Sequence, residues 1–321
     1  MMKDARISII MPCYNCAKHV ESSIASVLAQ DFKSWKLIIV DDGSTDESAE
    51  IISAINDSRI QLLRQANAGV SAARNRALTV AEGELIAFLD ADDTWKPHFL
   101  TRMVAALDAR PDAILAYCGW QNVGLPGGRG EPFIPPDYEI PSKLEMLLIN
   151  CRWPIHAALT RRTAVIDAGG FDHRYVNAED FALWVKIATL SPIVRVPEVM
   201  AYYHFHGTMQ ASANHTQAAL QLWQAQREYL ATHPVHTSQL GRDKIKRITH
   251  GELLQRGYVR YWARDLSTAR DIFKIVMRHG YGTLHDWKYM LPALLPYSWH
   301  LALIRLLDRK QKEKTLSTKD Q

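Results

Sequence analysis

Two groups of carboxylates stand early in the chain, Asp41-Asp42 and Asp90-Ala91-Asp92-Asp93, and each follows a short apolar run. Carboxylates delivered to one place repel each other, at a cost of roughly several kcal/mol if they are left dry and unpaired. A divalent cation is the simplest way to neutralise them. Magnesium or manganese suits oxygen ligands and bridges carboxylates to a diphosphate. A strand-end Asp can instead cap the next helix or shape a turn, and for Asp46 that reading weighs as much as a functional one. Three carboxylates within the stretch 90–93 exceed any capping need. A further acidic pair, Glu179-Asp180, stands before Phe181, Trp184, Val185 and Ile187, whose helical spacing can anchor it at a helix start. A carboxylate there is favoured by the helix dipole.

The elements that must position these groups alternate short apolar runs with helix-like segments, the pattern of an α/β fold with a mostly parallel sheet covered by helices. Ile7 to Met11 reads as a first strand ended by Pro12, and Val20, Ile24, Val27 and Leu28 as one buried helical face. Lys36 to Val40 is a second strand. Ser44 with Glu47 fits a capping box, so a helix is expected from there through Ile51 and Ile52. Arg59 to Arg64 reads as a strand, Val70 to Glu82 as a helix with Gly83 past its end, and Leu85 to Leu89 as a strand buried on both faces. Ile114 to Cys118 is a further strand, followed by a loop with Gly124, Gly127, Gly128 and Gly130 that is a candidate flap or acceptor loop. Both acidic groups thus fall at the carboxyl ends of strands, where open α/β sheets bind ligands. Beyond about Met209 the strand signals stop, which predicts a catalytic domain over 1–210 and a helical appendage over 211–321.

Several longer strings now fall into order: Pro12-Cys13-Tyr14-Asn15, Asp41-Asp42-Gly43-Ser44-Thr45-Asp46, Asn67 to Asn75, and Asp90 to Asp93. Gly169-Gly170-Phe171-Asp172, Glu179 to Trp184, and the stretch from Tyr203 to Ser212 follow. Together they resemble the family 2 glycosyltransferases of the GT-A fold, of the bacterial surface-polysaccharide type. The resemblance implies an inverting, metal-dependent, hexosyltransferase-like enzyme that moves a sugar from a UDP-sugar to an acceptor hydroxyl. It places Pro12, Tyr14, Asn15 and Asp41 around the nucleotide, with Asp41 accepting from a uracil N–H. Asp42 and Asp46 hold the loop, and Asn67 and Gly69 shape the turn before the helix carrying Arg74. Arg74 is expected to meet phosphate or sugar oxygens with a forked pair of bonds. Asp90 is expected on the ribose side, Asp92 as the ligand of Mn2+ or Mg2+, and Asp93 as support or as an acceptor contact. Asp180, with Glu179 beside it, is the expected base. His206 is expected to add to the metal or diphosphate site, while His204 stands where the family commonly has an Arg.

The remaining signals exclude more than they assign. With 38 basic against 34 acidic residues the net charge is +4, which does not suggest nucleic acid. Four cysteines imply no disulfide framework, and Cys13 and Cys16 lack the second ligand pair that a zinc site needs. No apolar stretch is long enough to span a bilayer, and the Met1 to Ile10 segment lacks the apolar core of a secretory signal. A cytoplasmic location follows, at the inner face of the cytoplasmic membrane if the C-terminal segment makes contact there. Trp299, Ala302, Leu303, Leu306 and Leu307 line one face near Arg305, Arg309, Lys310, Lys312 and Lys314. That suits peripheral contact with an anionic membrane through 290–314, or equally a helix packed on the catalytic domain. The expected partners are a nucleotide-sugar donor and a glycan or lipid-linked acceptor. Trp120, Trp153 and His156 fit an acceptor wall or the core equally well. A nucleotidyltransferase would carry a glycine-rich basic N-terminal loop, which Pro12–Cys16 is not. A non-catalytic nucleotide-sugar or partner-binding protein is the alternative that intact Asp92 and Asp180 argue against.

Overall fold

The computed structural model describes residues 5–125, 130–206 and 214–306. Of the expected features, Gly127, Gly128, residues 207–212 and the basic tail 307–314 lie outside the described residues. The chain divides into two compact units, Met1–Ala213 and Asn214–Gln321.

The first unit is built on an eight-stranded sheet in the order β3-β2-β1-β4-β7-β6-β8-β5. Its first half alternates strand and helix: β1 (Ile7–Cys13), α1 (Val20–Leu28), β2 (Trp35–Asp41), α2 (Ser48–Ser53), β3 (Ile60–Arg64), α3 (Val70–Leu78) and β4 (Leu85–Phe88). These four strands are mutually parallel. Ile7 to Cys13 and Leu85 to Phe88 are buried throughout, as strands covered on both faces must be. The second half is mixed. It contains β5 (Thr94–Trp95), α4 (Phe99–Ala109), β6 (Leu115–Val123), α5 (Lys143–Ile149), β7 (Ala158–Arg161), α6 (Arg162–Asp167), α7 (Glu179–Ala188) and β8 (Ile193–His204). Here β7 runs antiparallel to β4 and β6, β5 antiparallel to β8, and β6 parallel to β8. The open, helix-flanked α/β sheet is therefore as expected, but it is parallel only in its first half.

Two local expectations are corrected. Pro12 does not end the first strand: β1 continues to Cys13, with Pro12 opposite Val40. Proline is tolerated because pairing with β4 stops at Ile10, so its missing N–H breaks no ladder on that side. The Ser44–Glu47 capping box does not form. Helix α2 begins at Ser48, and Ser44 Oγ instead accepts from the Asn15 N–H at 3.0 Å. Strand β8 carries no clear alternation, because Pro197 and Glu198 bulge out where its register with β6 jumps from Val196 to Val199.

The second unit is helical: α8 (His215–Thr232), α9 (Pro234–Leu240), α10 (Arg242–Lys246), a π-turn at Arg247–Gly251, α11 (Glu252–Trp262), α12 (Leu266–Arg278) and α13 (Leu284–Met290). A short 3-10 turn follows at Leu291–Leu294, then a helix over 297–306. Arg264 at φ +63° ends α11, and Asp265 restarts the chain by accepting from the Thr268 N–H at 3.2 Å. Leu266, Ala269, Ile272, Phe273 and Val276 then face inward against Leu253, Leu254 and Met290. Each of the larger side chains contributes about 1.5–3 kcal/mol by leaving water.

Candidate active site

The ends of β1, β2 and β4 and the start of α7 bring the predicted residues to one edge of the sheet. The Pro12–Asn15 loop is tied to the loop after β2 by short-range polar clasps. Asn15, itself at φ +52°, accepts from the Thr45 N–H at 2.8 Å. Asp46 accepts from the N–H of Ala17 and of Ser48, each at 3.0 Å. Pro12 is buried and Tyr14 is exposed. Asp41 is buried at the tip of β2, with one oxygen accepting from the Ser44 N–H at 3.0 Å.

Asp42 holds the neighbouring turn. Its oxygens accept from Gln65 Nε2 at 2.7 Å, Ala68 N at 2.9 Å and Gly69 N at 2.8 Å. Gly43 must be glycine here: its φ is +77°, and a Cβ would come within 2.8 Å of the Asn67 nitrogen. Asn67 is exposed, and Gly69 at φ +88° starts α3.

Arg74 departs from expectation. Its guanidinium is buried, not open to a ligand, and it bridges Asp90 Oδ1 at 2.6 Å and Glu179 Oε1 at 3.1 Å. Phe171 lies across it at 5.1 Å. Two of its nitrogens thus tie the end of β4 to the start of α7. Beside it Asp180 is half-buried and accepts from the Phe181 N–H at 2.6 Å. Burial raises the carboxyl pKa values of both Glu179 and Asp180, while the Arg74 charge pulls them back. Such a pair takes up a proton more readily than an ordinary surface acid.

Asp93 is likewise enclosed. It is fully buried, with Oδ1 accepting from the His204 N–H at 2.9 Å and Oδ2 lying 2.9 Å from His156 Nδ1. Burial works against the charged imidazole, but Asp93 outweighs it and the His156 pKa is raised. His156 and Trp153 are therefore core residues, not an acceptor wall. Trp120 is part-buried beside Phe133.

Asp92 remains partly open, and its carboxyl is pushed up to about 8 by burial and then by Asp93 and Asp90. His206 Nε2 lies 3.8 Å from it. A carboxylate so short of positive charge, next to an imidazole nitrogen, fits a divalent cation, and Asp92 and His206 are the residues that would hold it. Among the described residues no group of three or more such ligands converges.

Two features were not legible in the sequence. His19 stacks on His206 with centroids 3.6 Å apart and planes at 24°. His204 Nε2 pairs with Thr94 Oγ1 at 2.8 Å. Both link residues far apart in the chain, and no motif spacing announces them.

Comparison with known proteins adds the following. A model described as glycosyl transferase family 2 matches residues 8–162. The UDP-Glc:alpha-D-GlcNAc-diphosphoundecaprenol beta-1,3-glucosyltransferase WfgD of Escherichia coli is 34% identical over 187 residues, which cover 58% of this chain and 71% of that protein. Two solved structures share the fold at 20% identity and a TM-score of 0.59. Staphylococcus aureus TarS 1–349, in complex with UDP-GlcNAc, aligns over 86% of this chain and 92% of that one. The mannosyltransferase PcManGT from Pyrobaculum calidifontis, in complex with GDP-Man and Mn2+, aligns over 99% of this chain and 84% of that one.

Proposed function

The chain belongs to glycosyl transferase family 2, and from that premise we propose that it moves a sugar from a UDP-sugar to an acceptor hydroxyl with inversion. The observation that carries this reading is the Arg74 brace, which sets Asp90 and Glu179 at 2.6 and 3.1 Å from one guanidinium. It fixes the acidic start of α7 against the strand end that carries the other carboxylates, so donor and base are held in one frame.

In this reading Asp41 accepts from the uracil N3–H, while the Tyr14–Asn15 loop closes on the nucleotide. Asp92 and His206 would hold Mn2+ or Mg2+, which when bound would supply charge to offset that of the departing diphosphate. Asp180 takes the proton of the acceptor hydroxyl. The freed oxygen then forms its bond to the anomeric carbon from the face opposite UDP, and the bond to the diphosphate oxygen breaks with its electron pair leaving on UDP. Burial of Asp180 strengthens it as a base, and Arg74 keeps its neighbour Glu179 in place.

The relative that acts on a diphosphoundecaprenol-linked sugar supports a lipid-linked acceptor, and the second unit offers a matching surface. Leu294, Leu295, Tyr297 and Trp299 are all exposed. They are held out by buried Arg270, which donates to Leu295 O at 2.7 Å and lies 3.2 Å from His300 Nδ1. Leucines edged by Trp and Tyr suit the headgroup level of a membrane. No described helix is long and apolar enough to cross one.

The test is a thermal-shift screen of nucleotide sugars with Mn2+, since a true donor raises the melting temperature by mass action. It is followed by NMR of the product formed on a lipid-linked sugar. Stabilisation by a UDP-sugar and a β-linked product from an α-linked donor are expected; a retained α-linkage rules out the inverting step.

A further inference from the structure

Helices α11 and α13 leave an open groove of about 390 Å3 in the second unit, inside the roughly 300–1,000 Å3 span of small-molecule sites. Gln255, Tyr258 and Trp262 come from one face of α11, and His285, Asp286 and Tyr289 from α13. The rings form a corner. Tyr289 stands at 80° to Tyr258 with centroids 6.0 Å apart, and at 65° to Trp262 with centroids 5.8 Å apart. Trp262 is 57% exposed, with Tyr261 edge-on to it at 4.9 Å and the Arg264 guanidinium 5.8 Å from its centroid.

The polar groups are of two kinds. Asp286 is immobilised: it accepts from Tyr258 Oη, Thr283 N and Thr283 Oγ1, each at 2.7 Å. That clasp caps α13 and locks the Tyr258 ring against it. Gln255 and His285, in contrast, make no side-chain hydrogen bond within the described residues, and both are exposed at the groove. Rigid aromatic walls with unused amide and imidazole groups at their edge match the two-sided chemistry of a pyranose. Its C–H face lies on a ring, and its hydroxyls exchange hydrogen bonds at the rim.

We propose that this groove binds a saccharide, one or two rings of the acceptor glycan, as a second site apart from the carboxylates of the first unit. The role as an acceptor hold rests on the transferase reading; saccharide binding itself does not. Val259, 62% exposed on the same helix face, extends the apolar wall.

The experiment is saturation-transfer NMR on the full chain with chitotetraose, cellotetraose and maltotetraose, and with tetramethylammonium as a cation control. Expected is transfer to the ring protons of at least one tetrasaccharide, with affinity falling about tenfold in Trp262→Ala and in Tyr289→Ala. Circular dichroism should stay unchanged in both variants and the melting temperature in Trp262→Ala; Tyr289 packs on the core of this unit, so Tyr289→Ala is measured well below its own melting temperature. Asp180→Asn should bind the saccharide as the parent does, so that a failure of the transferase reading leaves this result standing. Transfer to no tetrasaccharide, transfer to tetramethylammonium alone, or undiminished binding in Trp262→Ala/Tyr289→Ala overturns the proposal.

Discussion

Replacing Arg74 with Met keeps much of the side-chain volume and removes the one charge that joins Asp90 to Glu179. Removing one partner of a buried ion pair costs about 3–5 kcal/mol, because the other is left charged and unpaired. Asp90 is 28% and Glu179 13% exposed at the side chain, so water relieves part of that penalty, and a loss near 3 kcal/mol is expected. Against a total of about 5–15 kcal/mol for a folded domain, that is readily measured by urea unfolding. A second substitution separates charge from packing. With Glu179→Gln added, the unpaired carboxylate is gone, and the double variant should recover about 1 kcal/mol or more over Arg74→Met alone. In the parent, Glu179→Gln should destabilise, because it breaks a made bond. This sign reversal is specific to the brace. If Arg74→Met costs under about 1 kcal/mol, or if Glu179→Gln destabilises both backgrounds equally, the guanidinium is not holding these carboxylates. A phosphate-gripping Arg74 predicts something else again: a large loss of UDP affinity with little change in stability.

Other outcomes follow from the same geometry. Asp180→Asn should abolish transfer, by about 100-fold or more for a lost general base, while leaving Mn2+-dependent UDP binding intact by calorimetry. Full transfer in that variant would remove Asp180 as the base. The raised acids at the start of α7 set opposite pH trends for rate and stability. Between the unfolded carboxylate value, about 4.3 for Glu, and the folded value, about 7 for Glu179, the native state binds the extra proton. The Glu179 contribution to stability is thus present at low pH and lost as pH rises through about 7, whereas transfer should rise with pH as Asp180, whose carboxyl burial also raises, ionises. A rate profile flat from pH 5 to 8 speaks against a raised base. His156→Leu should cost about 3–5 kcal/mol in urea unfolding by stranding Asp93, and His156→Asn, which still offers an N–H, should cost less; equal losses would show that the ion pair contributes nothing. Liposome co-sedimentation with anionic vesicles should be lost in Leu294→Glu/Leu295→Glu, and equal pelleting of variant and parent removes the membrane contact.

What the sequence by itself determined is whatever is written in adjacent residues. Short apolar runs with helical stretches between them specify the first four strands. A carboxylate just after a strand is carried to the strand's end wherever the sheet goes, so Asp41, Asp90 and Asp92 could be placed without coordinates. The strings from Pro12 to Asp180 also sufficed for the family. Short or irregular elements escaped: β5 is two residues long, β8 is broken by a bulge at Pro197, and both exist only because a neighbouring strand pairs with them. The roles of Arg74 and Asp93 lay further out of reach. A guanidinium on a helix reads the same whether it faces a ligand or the core, and its environment is set by Glu179, 105 residues away. His156 meets Asp93, and His19 meets His206, in the same long-range way. Burial and pairing are properties of closed contacts between distant segments, and only the folded chain brings those segments together.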